Sequence, residues 1–248
     1  PGAVLSAAAA PAWMAAAALA GGVLLVLRLP GPLRALGLPL LLPLALWQPP
    51  RPAPGGFELV AADIGQGNAV LVRTATHSLL YDTGPRWGEG SDAGQAVLVP
   101  LLRALGERLD VVVVSHGDAD HIGGAPAVLA QHPGARLVSS IPGDHPLSAL
   151  RLPERCEAGQ RWVWDGVTFE FLHPRPQDLA AAARQPNHGS CVLRVSAPGS
   201  GRGGVPVPVV ALLPGDIEAP QERRLVDAGA PLAADWLLVP HHGSKTSS

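Results

Sequence analysis

The stretch that decides the fold is VVVVSHGDADHIGG, residues 111–124. Its four valines predict a buried β-strand. Four potential metal ligands follow within six residues: His116, Asp118, Asp120 and His121. His116 and Asp118 are two positions apart, so an extended chain can direct both side chains at one point. A turn can direct the side chains of the adjacent Asp120 and His121 at a second point. Because imidazole and carboxylate groups bind borderline and hard divalent cations, the stretch predicts a metal site at the tip of a buried strand.

Two other predicted strand ends carry potential ligands. Residues 212–216, LLPGD, end in Asp216, and residues 239–244, VPHHGS, contain the adjacent His241 and His242. Taken alone, Asp216 is more often the N-cap of a helix, and a histidine pair is weak evidence. Three strand ends of the same design nevertheless indicate one shared site, in which the two oxygens of Asp216 bridge two cations.

Hydrophobic patterning supplies the rest of the predicted fold. Strands are predicted over 57–62, 69–73, 78–82, 136–139, 161–164, 167–172, 191–195, 207–213 and 235–239, and helices over 94–105, 123–131 and 217–228. Both halves of the chain from residue 57 onward begin with predicted strands and then mix strands with helices. Two sheets covered by helices would satisfy that order, which makes the fold class α/β.

Composition restricts the functional class. Three of the 18 basic residues and none of the 20 acidic residues precede residue 55, so the remainder carries 15 basic against 20 acidic residues. A generic electrostatic binder of nucleic acid is expected to be basic, so a polyanion has to be bound locally, by metal ions and a few cations. Arg86 and Lys245 lie near motif ends and are candidates, although a solvated charge is the simpler interpretation. Cys156 and Cys191 either form one disulfide or stay free.

The N-terminal segment has the composition of a membrane region. Residues 3–27 form an almost unbroken apolar run, long enough to predict a transmembrane helix. Residues 35–47 are apolar but short and contain two prolines, which fits a kinked span, a re-entrant piece or a buried helix. The two arginines within 28–34 favour the cytoplasmic side for that loop. If 35–47 crosses the membrane, the following domain is extracytoplasmic; a signal peptide is the alternative for the first run.

The predicted domain organisation follows from these boundaries. Residues 1–47 are expected to be the end of a membrane domain, the Pro-rich residues 48–56 a stiff linker, and residues 57–248 one domain that contains the predicted metal site. Because the chain lacks an initiator Met and ends within a motif-rich segment, we expect a fragment of a longer protein, truncated at its C terminus.

The order HxDxDH, then an aspartate after a strand, then HHGS resembles the metallo-β-lactamase superfamily. More narrowly, it resembles the C-terminal domain of ComEC-type DNA-internalisation competence proteins, preceded by the tail of their membrane (competence) domain. The motifs that carry the resemblance are DIGQGNA at 63–69, LYDTG at 80–84, HGDADH at 116–121, LHP at 172–174, LPGD at 213–216 and PHHGS at 240–244. The resemblance implies an αββα four-layer sandwich, preceded by one or two transmembrane helices.

This sequence departs from the family pattern at several positions. Asp118 replaces the second histidine of the superfamily, as is usual for the competence group, and Asn68 stands where the family has an aspartate. The middle histidine ligand of the superfamily has no clear match; Asn187 and His188 occupy the equivalent stretch and are the candidates for it. The resulting oxygen-rich first site favours manganese or magnesium over zinc.

Two further residues are additional candidates. His173, before Pro174, either points into the site or packs at a strand end. Asp82 belongs to a DTG sequence, but an aspartic protease needs two such carboxylates and only one DTG occurs. A strand-ending turn that lines the pocket is therefore the favoured interpretation of Asp82.

The resemblance implies a two-metal hydrolase that binds two divalent ions, zinc or manganese, with magnesium as a further candidate. The implied ligands are His116 and Asp118 for the first ion, Asp120, His121 and His242 for the second, and Asp216 as the bridge. Asp120 would also orient the nucleophile, and His241 would support a ligand or donate a proton to the leaving group.

The implied substrate is DNA, single-stranded or duplex. The whole protein would be a multi-pass channel of the inner (plasma) membrane that works with other DNA-uptake components, and this domain would degrade the strand that is not imported. Two alternatives stay open. One is a hydrolase of a small ester, thioester or lactam; the other is a catalytically weak module that guides DNA, which the missing middle histidine favours.

Overall fold

Val111–Val114 forms the strand that its four β-branched residues predict, and the fold is built around it. The computed structural model describes residues 8–182, 184–199 and 207–247. The chain divides into two compact units: residues 1–50 with 100–107, and residues 51–99 with 108–248.

Along the described residues the α-helices are α1 Ala12–Val26, α2 Gly31–Ala35, α3 Gly37–Leu46, α4 Val99–Ala104, α5 Ala119–Ile122, α6 Ala125–Gln131, α7 Pro146–Leu150, α8 Pro176–Ala182 and α9 Ala219–Asp227. The strands are β1 Glu58–Ala61, β2 Val70–Arg73, β3 Ser78–Tyr81, β4 Arg86–Gly88, β5 Ser91–Asp92, β6 Val111–Val114, β7 Arg136–Ser139, β8 Glu154–Arg155, β9 Arg161–Trp164, β10 Val167–His173, β11 Val192–Ala197, β12 Val209–Leu213 and β13 Trp236–Leu237. A π-helical turn, Gly94–Leu98, leads into α4, and 3₁₀ turns span Pro186–Gly189 and Pro240–Gly243.

In the first unit, α1 and α3 pack against each other at a glycine contact. A Cβ atom added to Gly37 would lie 2.4 Å from the carbonyl oxygen of Gly21, so only glycine permits this approach. Pro11 occupies the N-cap position of α1, so the predicted helix over 3–27 begins later than expected; residues 3–7 lie outside the described residues. No helix in the described part of the chain is long and apolar enough to cross a membrane. Within predicted segment 35–47, α3 continues through Pro43.

In the second unit two sheets face each other. The six-stranded sheet has the order β1-β2-β3-β6-β7-β8, antiparallel from β1 to β3 and parallel from β3 to β8. The five-stranded sheet has the order β13-β12-β11-β10-β9 and is antiparallel except for the β12–β13 pair. Strands β4 and β5 form a separate two-stranded hairpin.

The core lies between the two sheets, because alternate residues of each strand point to the same face. Its members include Val70, Leu79, Tyr81, Val111 and Val113 from the first sheet and Phe169, Phe171, Leu193, Val195 and Leu213 from the second. A second apolar cluster forms where α9 covers the outer face of the five-stranded sheet, and it contains Leu172, Val192, Leu212, Ile217 and Leu225. Burial on both faces explains why the central strands have continuous rather than alternating apolar sequences.

A disulfide joins Cys156 to Cys191, which answers the question that the sequence left open. Cys156 directly follows β8 of the six-stranded sheet, and Cys191 directly precedes β11 of the five-stranded sheet. Both residues are fully buried in the core cluster. The bond therefore ties the two sheets together from within.

Candidate metal centre

Strand ends from both sheets meet at one edge of the sandwich. Asp120 and His121 follow β6, Asp216 follows β12, and His242 follows β13, and one ligand atom from each lies within 4.8 Å of the others. His121 Nε2 lies 3.2 Å from both His242 Nε2 and Asp216 Oδ2. His242 Nε2 lies 3.3 Å from Asp120 Oδ2. The three stretches that the sequence analysis selected therefore share one site.

Local backbone geometry places these side chains. Helix α5 is a single turn with Asp118 at its N-cap position, and it carries Asp120 and His121. Gly67, with φ +111°, packs against this turn, where an added Cβ atom would lie 2.1 Å from the carbonyl oxygen of Asp120. Gly67 of the GQG sequence thus allows its loop to approach the ligand-bearing turn closely.

The adjacent histidines occupy an unusual turn. His241 and His242 have φ values of 46° and 52°, in the left-handed region that non-glycine residues rarely adopt. The backbone N–H of His241 donates to the carbonyl of Gly215 at 3.3 Å, which links this turn to the loop that carries Asp216. Strain of this kind persists where the surrounding structure enforces it, and it is typical of functional sites.

Asp82 orients His121 from behind. His121 Nδ1 lies 2.7 Å from Asp82 Oδ2, and both the His121 ring and the Asp82 carboxylate are fully buried. The backbone N–H and the hydroxyl of Ser115 donate to the same carboxylate at 2.6 and 2.8 Å. With Nδ1–H donating to Asp82, the lone pair of Nε2 faces the cluster. Asp82, an additional ligand candidate from the sequence, therefore lies behind a ligand atom rather than among them.

The charges of the cluster shift its pKa values. Burial alone would lower the pKa of His121, but the carboxylates of Asp82 and Asp216 raise it to about 10. Burial alone would raise the pKa of Asp216, but its contacts with His121 lower it below the usual range. A proton and a cation therefore compete for His121 Nε2, whereas Asp216 is ready to bind a cation.

His116 and Asp118 lie next to this cluster. The Ser115 hydroxyl donates its hydrogen bond to Asp82, so Ser115 Oγ can only accept from His116. His116 Nδ1 therefore donates to Ser115 Oγ at 2.9 Å, and His116 Nε2 keeps its lone pair. Asp118 Oδ2 lies 3.5 Å from His116 Nε2, and this contact lowers the pKa of the Asp118 carboxyl. The rings of His116 and His121 are 4.2 Å apart at their centres.

The residues present fit divalent cations. His116 Nε2 and Asp216 Oδ1 are buried, and neither has a hydrogen-bond partner among the described residues. Buried polar atoms without partners are rare in native proteins and need an explanation, such as an ion. Imidazole nitrogens and carboxylate oxygens directed at one small volume supply that explanation.

The two candidates for the missing histidine lie beside Glu218 instead of His116. The side-chain amide of Asn187 donates to Glu218 Oε1 at 3.4 Å, and His188 Nε2 lies 3.5 Å from Glu218 Oε2. His241 Nδ1 lies 3.6 Å from Glu218 Oε1 and 2.6 Å from Thr246 Oγ1, while its Nε2 lies 4.0 Å from Asp216 Oδ2. Sequence reasoning missed Glu218, although it follows Asp216 by two residues in the same turn.

His173 lies outside the cluster. Its Nδ1 donates to the carbonyl of Ser190 at 2.8 Å, and its Nε2 lies 3.4 Å from Asp178 Oδ2. Burial lowers the pKa of His173. These contacts and this burial fit the interpretation of His173 as a residue that packs at a strand end. The alternative that Asp216 caps a helix does not apply, because Glu218 occupies the N-cap of α9 and Asp216 Oδ2 contacts His121.

Comparison with known proteins agrees with this geometry. The family model described as the metallo-beta-lactamase superfamily matches residues 62–248. Competence protein ComA of Neisseria gonorrhoeae is 40% identical over 188 residues, which cover 75% of this chain and 24% of that protein. Recombination protein 2 of Haemophilus influenzae is 36% identical over 192 residues, which cover 77% of this chain and 22% of that protein.

The chain spans about a quarter of the length of the curated relatives that it matches. Among solved structures, a putative metal-dependent hydrolase from Parabacteroides distasonis is 16% identical with a TM-score of 0.46, over 79% of this chain and 76% of that one. Since the family model covers most of the chain, including every strand end that meets at the cluster, this chain belongs to the metallo-beta-lactamase superfamily.

Proposed function

We propose that this chain is a metal-dependent phosphodiester hydrolase that acts on DNA during natural transformation. The observation that carries the proposal is the convergence of Asp120, His121, Asp216 and His242 at one point. The names of the relatives, a competence protein and a recombination protein, support DNA as the substrate class. Degradation of the strand that is not imported is part of the proposal.

Each residue of the cluster has a role in this proposal. His116 and Asp118 would hold one cation, Asp120, His121 and His242 the other, and Asp216 would contact both. When bound, such cations supply Lewis-acid stabilisation of phosphate charge and lower the pKa of a water molecule. Asp82 keeps the His121 lone pair directed at the cluster. Asp120 would orient the nucleophile, and His241, whose Nε2 lies 4.0 Å from Asp216 Oδ2, would give a proton to the leaving group.

We also propose that residues 57–248 form the hydrolase domain, that 48–56 form a linker, and that 1–47 belong to a membrane region of the plasma membrane. The uncharged, apolar character of α1 and α3 supports the last assignment. The Cys156–Cys191 disulfide supports an extracytoplasmic position for the hydrolase domain, because disulfides persist in oxidising compartments.

A DNA-guiding module with little catalysis is the second candidate. It is favoured by the position of Asn187 and His188, because their side-chain contacts among the described residues are with Glu218 and not with His116. A first cation bound by fewer protein ligands would be held more weakly.

The test combines metal analysis with a cleavage assay. The purified chain is loaded with manganese, zinc or magnesium, its metal content is measured, and end-labelled single-stranded and duplex DNA are supplied. We expect cleavage, and we expect Asp120→Asn to reduce it by more than ~100-fold, since it removes both a ligand and the orienting carboxylate.

The matched control is Asp63→Asn, an exposed aspartate on the neighbouring loop whose carboxylate accepts only the backbone N–H of Gly65 among the described residues. This variant should cleave like the wild type. DNA binding without cleavage under all three metals would support the guiding module and contradict the hydrolase.

A further inference from the structure

An exposed hairpin stands beside the candidate metal centre. Its strands are β4, Arg86–Gly88, and β5, Ser91–Asp92, and all three residues of β4 are exposed. Trp87 in β4 is 50% exposed. The strand register shifts between Arg86 and Gly88, so Trp87 is a bulged residue without a paired partner across the hairpin. A bulge at this position redirects the side chain that it carries.

The base of the hairpin is fixed to the ligand-bearing turn. The backbone N–H and the hydroxyl of Thr83 both donate to the carbonyl of His121 at 2.8 Å, and Gly124 donates to Gly84 at 3.2 Å. Gly123 is in such close contact that an added Cβ atom would lie 2.2 Å from the backbone nitrogen of Arg86. Backbone dimensions therefore put the Cα atom of Trp87 within about 14 Å of the Cα atom of His121.

Arg86 contributes a positive charge that its neighbours do not neutralise. Asp92 lies opposite Arg86 in the hairpin, but Asp92 Oδ1 accepts the backbone N–H of Gln95 at 2.8 Å. Arg86 Nε donates to the carbonyl of Gly88 at 3.2 Å, and none of the carboxylates in the described residues forms an ion pair with it. An indole and a guanidinium that has no ion-pair partner among the described residues thus occupy adjacent positions next to the cluster, in a domain that is acidic as a whole.

We propose that the β4–β5 hairpin binds single-stranded DNA, with Trp87 stacking on an unpaired base and Arg86 contacting an adjacent phosphate. This inference rests on the proposed function, since it identifies which form of DNA the same site receives. An aromatic ring stacks on any unpaired base, because every base has a π-face, and an arginine beside it adds attraction to the backbone. Duplex DNA offers such a face only at its ends, so the hairpin selects unpaired nucleotides.

The test measures DNA affinity without cleavage. A fluorescein-labelled 15-nucleotide dT strand is titrated with the full chain in EDTA and followed by anisotropy. An abasic strand of the same length and a blunt duplex serve as comparison probes. We expect Trp87→Ala to weaken binding of the dT strand by about 5- to 150-fold, the change that corresponds to loss of one base–aromatic stack. Its affinity for the abasic strand should not change, and Trp87→Phe should retain most of the wild-type affinity.

Trp236→Ala is the matched control, because Trp236 is also exposed, at 64%, but lies on β13. It should bind the dT strand like the wild type. Arg86→Gln should weaken binding of the dT and abasic strands alike. Equal losses on both strands for Trp87→Ala, or unchanged affinity for the dT strand, would overturn the inference.

Failure of this inference is separable from failure of the proposed function. If metal-loaded protein cleaves DNA but Trp87→Ala binds the dT strand normally, the hairpin has no such role and the hydrolase stands. If the wild type binds the dT strand through Trp87 but cleaves nothing under any metal, the inference stands and the hydrolase does not. Absence of binding to any probe contradicts the inference.

Discussion

Asp82 shows how much a single buried residue determines at this site. Its carboxylate contacts His121 Nδ1 and receives two hydrogen bonds from Ser115, so it fixes both the ring orientation and the tautomer of the histidine. Asp82 itself has φ +59°, an uncommon backbone conformation that the surrounding contacts maintain. Metal affinity at the cluster should therefore depend on a residue that contributes no ligand atom to it.

We expect Asp82→Asn to lower the affinity for divalent metal by about 10- to 100-fold, the usual effect of changing a carboxylate behind a histidine ligand. Isothermal titration with manganese and zinc measures this affinity directly. Asp63→Asn is the control and should bind metal normally. An Asp82→Asn variant that folds and binds both metals like the wild type would show that the contact with His121 has no orienting role.

Sequence alone predicted which residues cluster at the strand ends better than it predicted the contacts around them. His121, Asp120, Asp216 and His242 were selected because each follows a predicted strand, and a strand end has a fixed place at a sheet edge. Glu218 was missed because side-chain contacts between loops depend on tertiary structure, which local sequence patterns do not predict. His173 was selected for its position before a proline. The sequence did not predict its contacts with Asp178 and with the carbonyl of Ser190, because these also depend on tertiary structure.

At the scale of the elements, the contact between α1 and α3 depends on glycines, which have no side chain. Gly21 and Gly37 approach so closely that a Cβ atom on either would meet the backbone of the other. The neighbouring Gly22 has open space around it. Two adjacent glycines on one helix therefore provide a direct comparison.

We expect Gly21→Leu to separate α1 from α3, because overpacking of this kind costs about 1–3 kcal/mol or more. Limited trypsin digestion of the full chain in detergent, analysed by mass spectrometry, should show faster cleavage after Arg28 and Arg34, which lie between the two helices. Gly22→Leu should be cleaved at the wild-type rate. Equal cleavage rates for both variants would mean that the glycine contact does not hold the helices together.

Predictability also differed among elements. The Val111–Val114 strand and the Arg136–Ser139 strand occur where their apolar, β-branched sequences placed them. The β4–β5 hairpin and the two-residue β8 were missed, because elements this short have no periodicity to detect. The helix predicted over 94–105 is instead a π-helical turn followed by α4.

At the scale of the whole molecule, the disulfide joins the two sheets of the hydrolase unit. Cys191 also donates its backbone N–H to the carbonyl of Ser115, and its own carbonyl accepts the hydroxyl of Tyr81. The covalent link therefore lies directly beneath the strand end that carries the first ligands. Stability of the unit and geometry of the cluster should both depend on it.

We expect replacement of both cysteines by alanine to lower the free energy of unfolding by about 2–5 kcal/mol. Urea unfolding followed by tryptophan fluorescence measures the change. Added reductant should lower the midpoint of the wild type toward that of the double variant and leave the variant unchanged. A wild type whose unfolding midpoint is the same with and without reductant would contradict a stabilising disulfide.

The spread of the cluster along the chain has a consequence for biogenesis. Its four donors extend from Asp120 to His242, and the last strand that positions them, β13, is also nearly the last part of the described chain. A nascent polypeptide on the ribosome contains three of the four donors before β13 emerges and pairs with β12, and it lacks His242. The complete set of four donors, and any cutting activity that depends on it, therefore requires translation to proceed past His242.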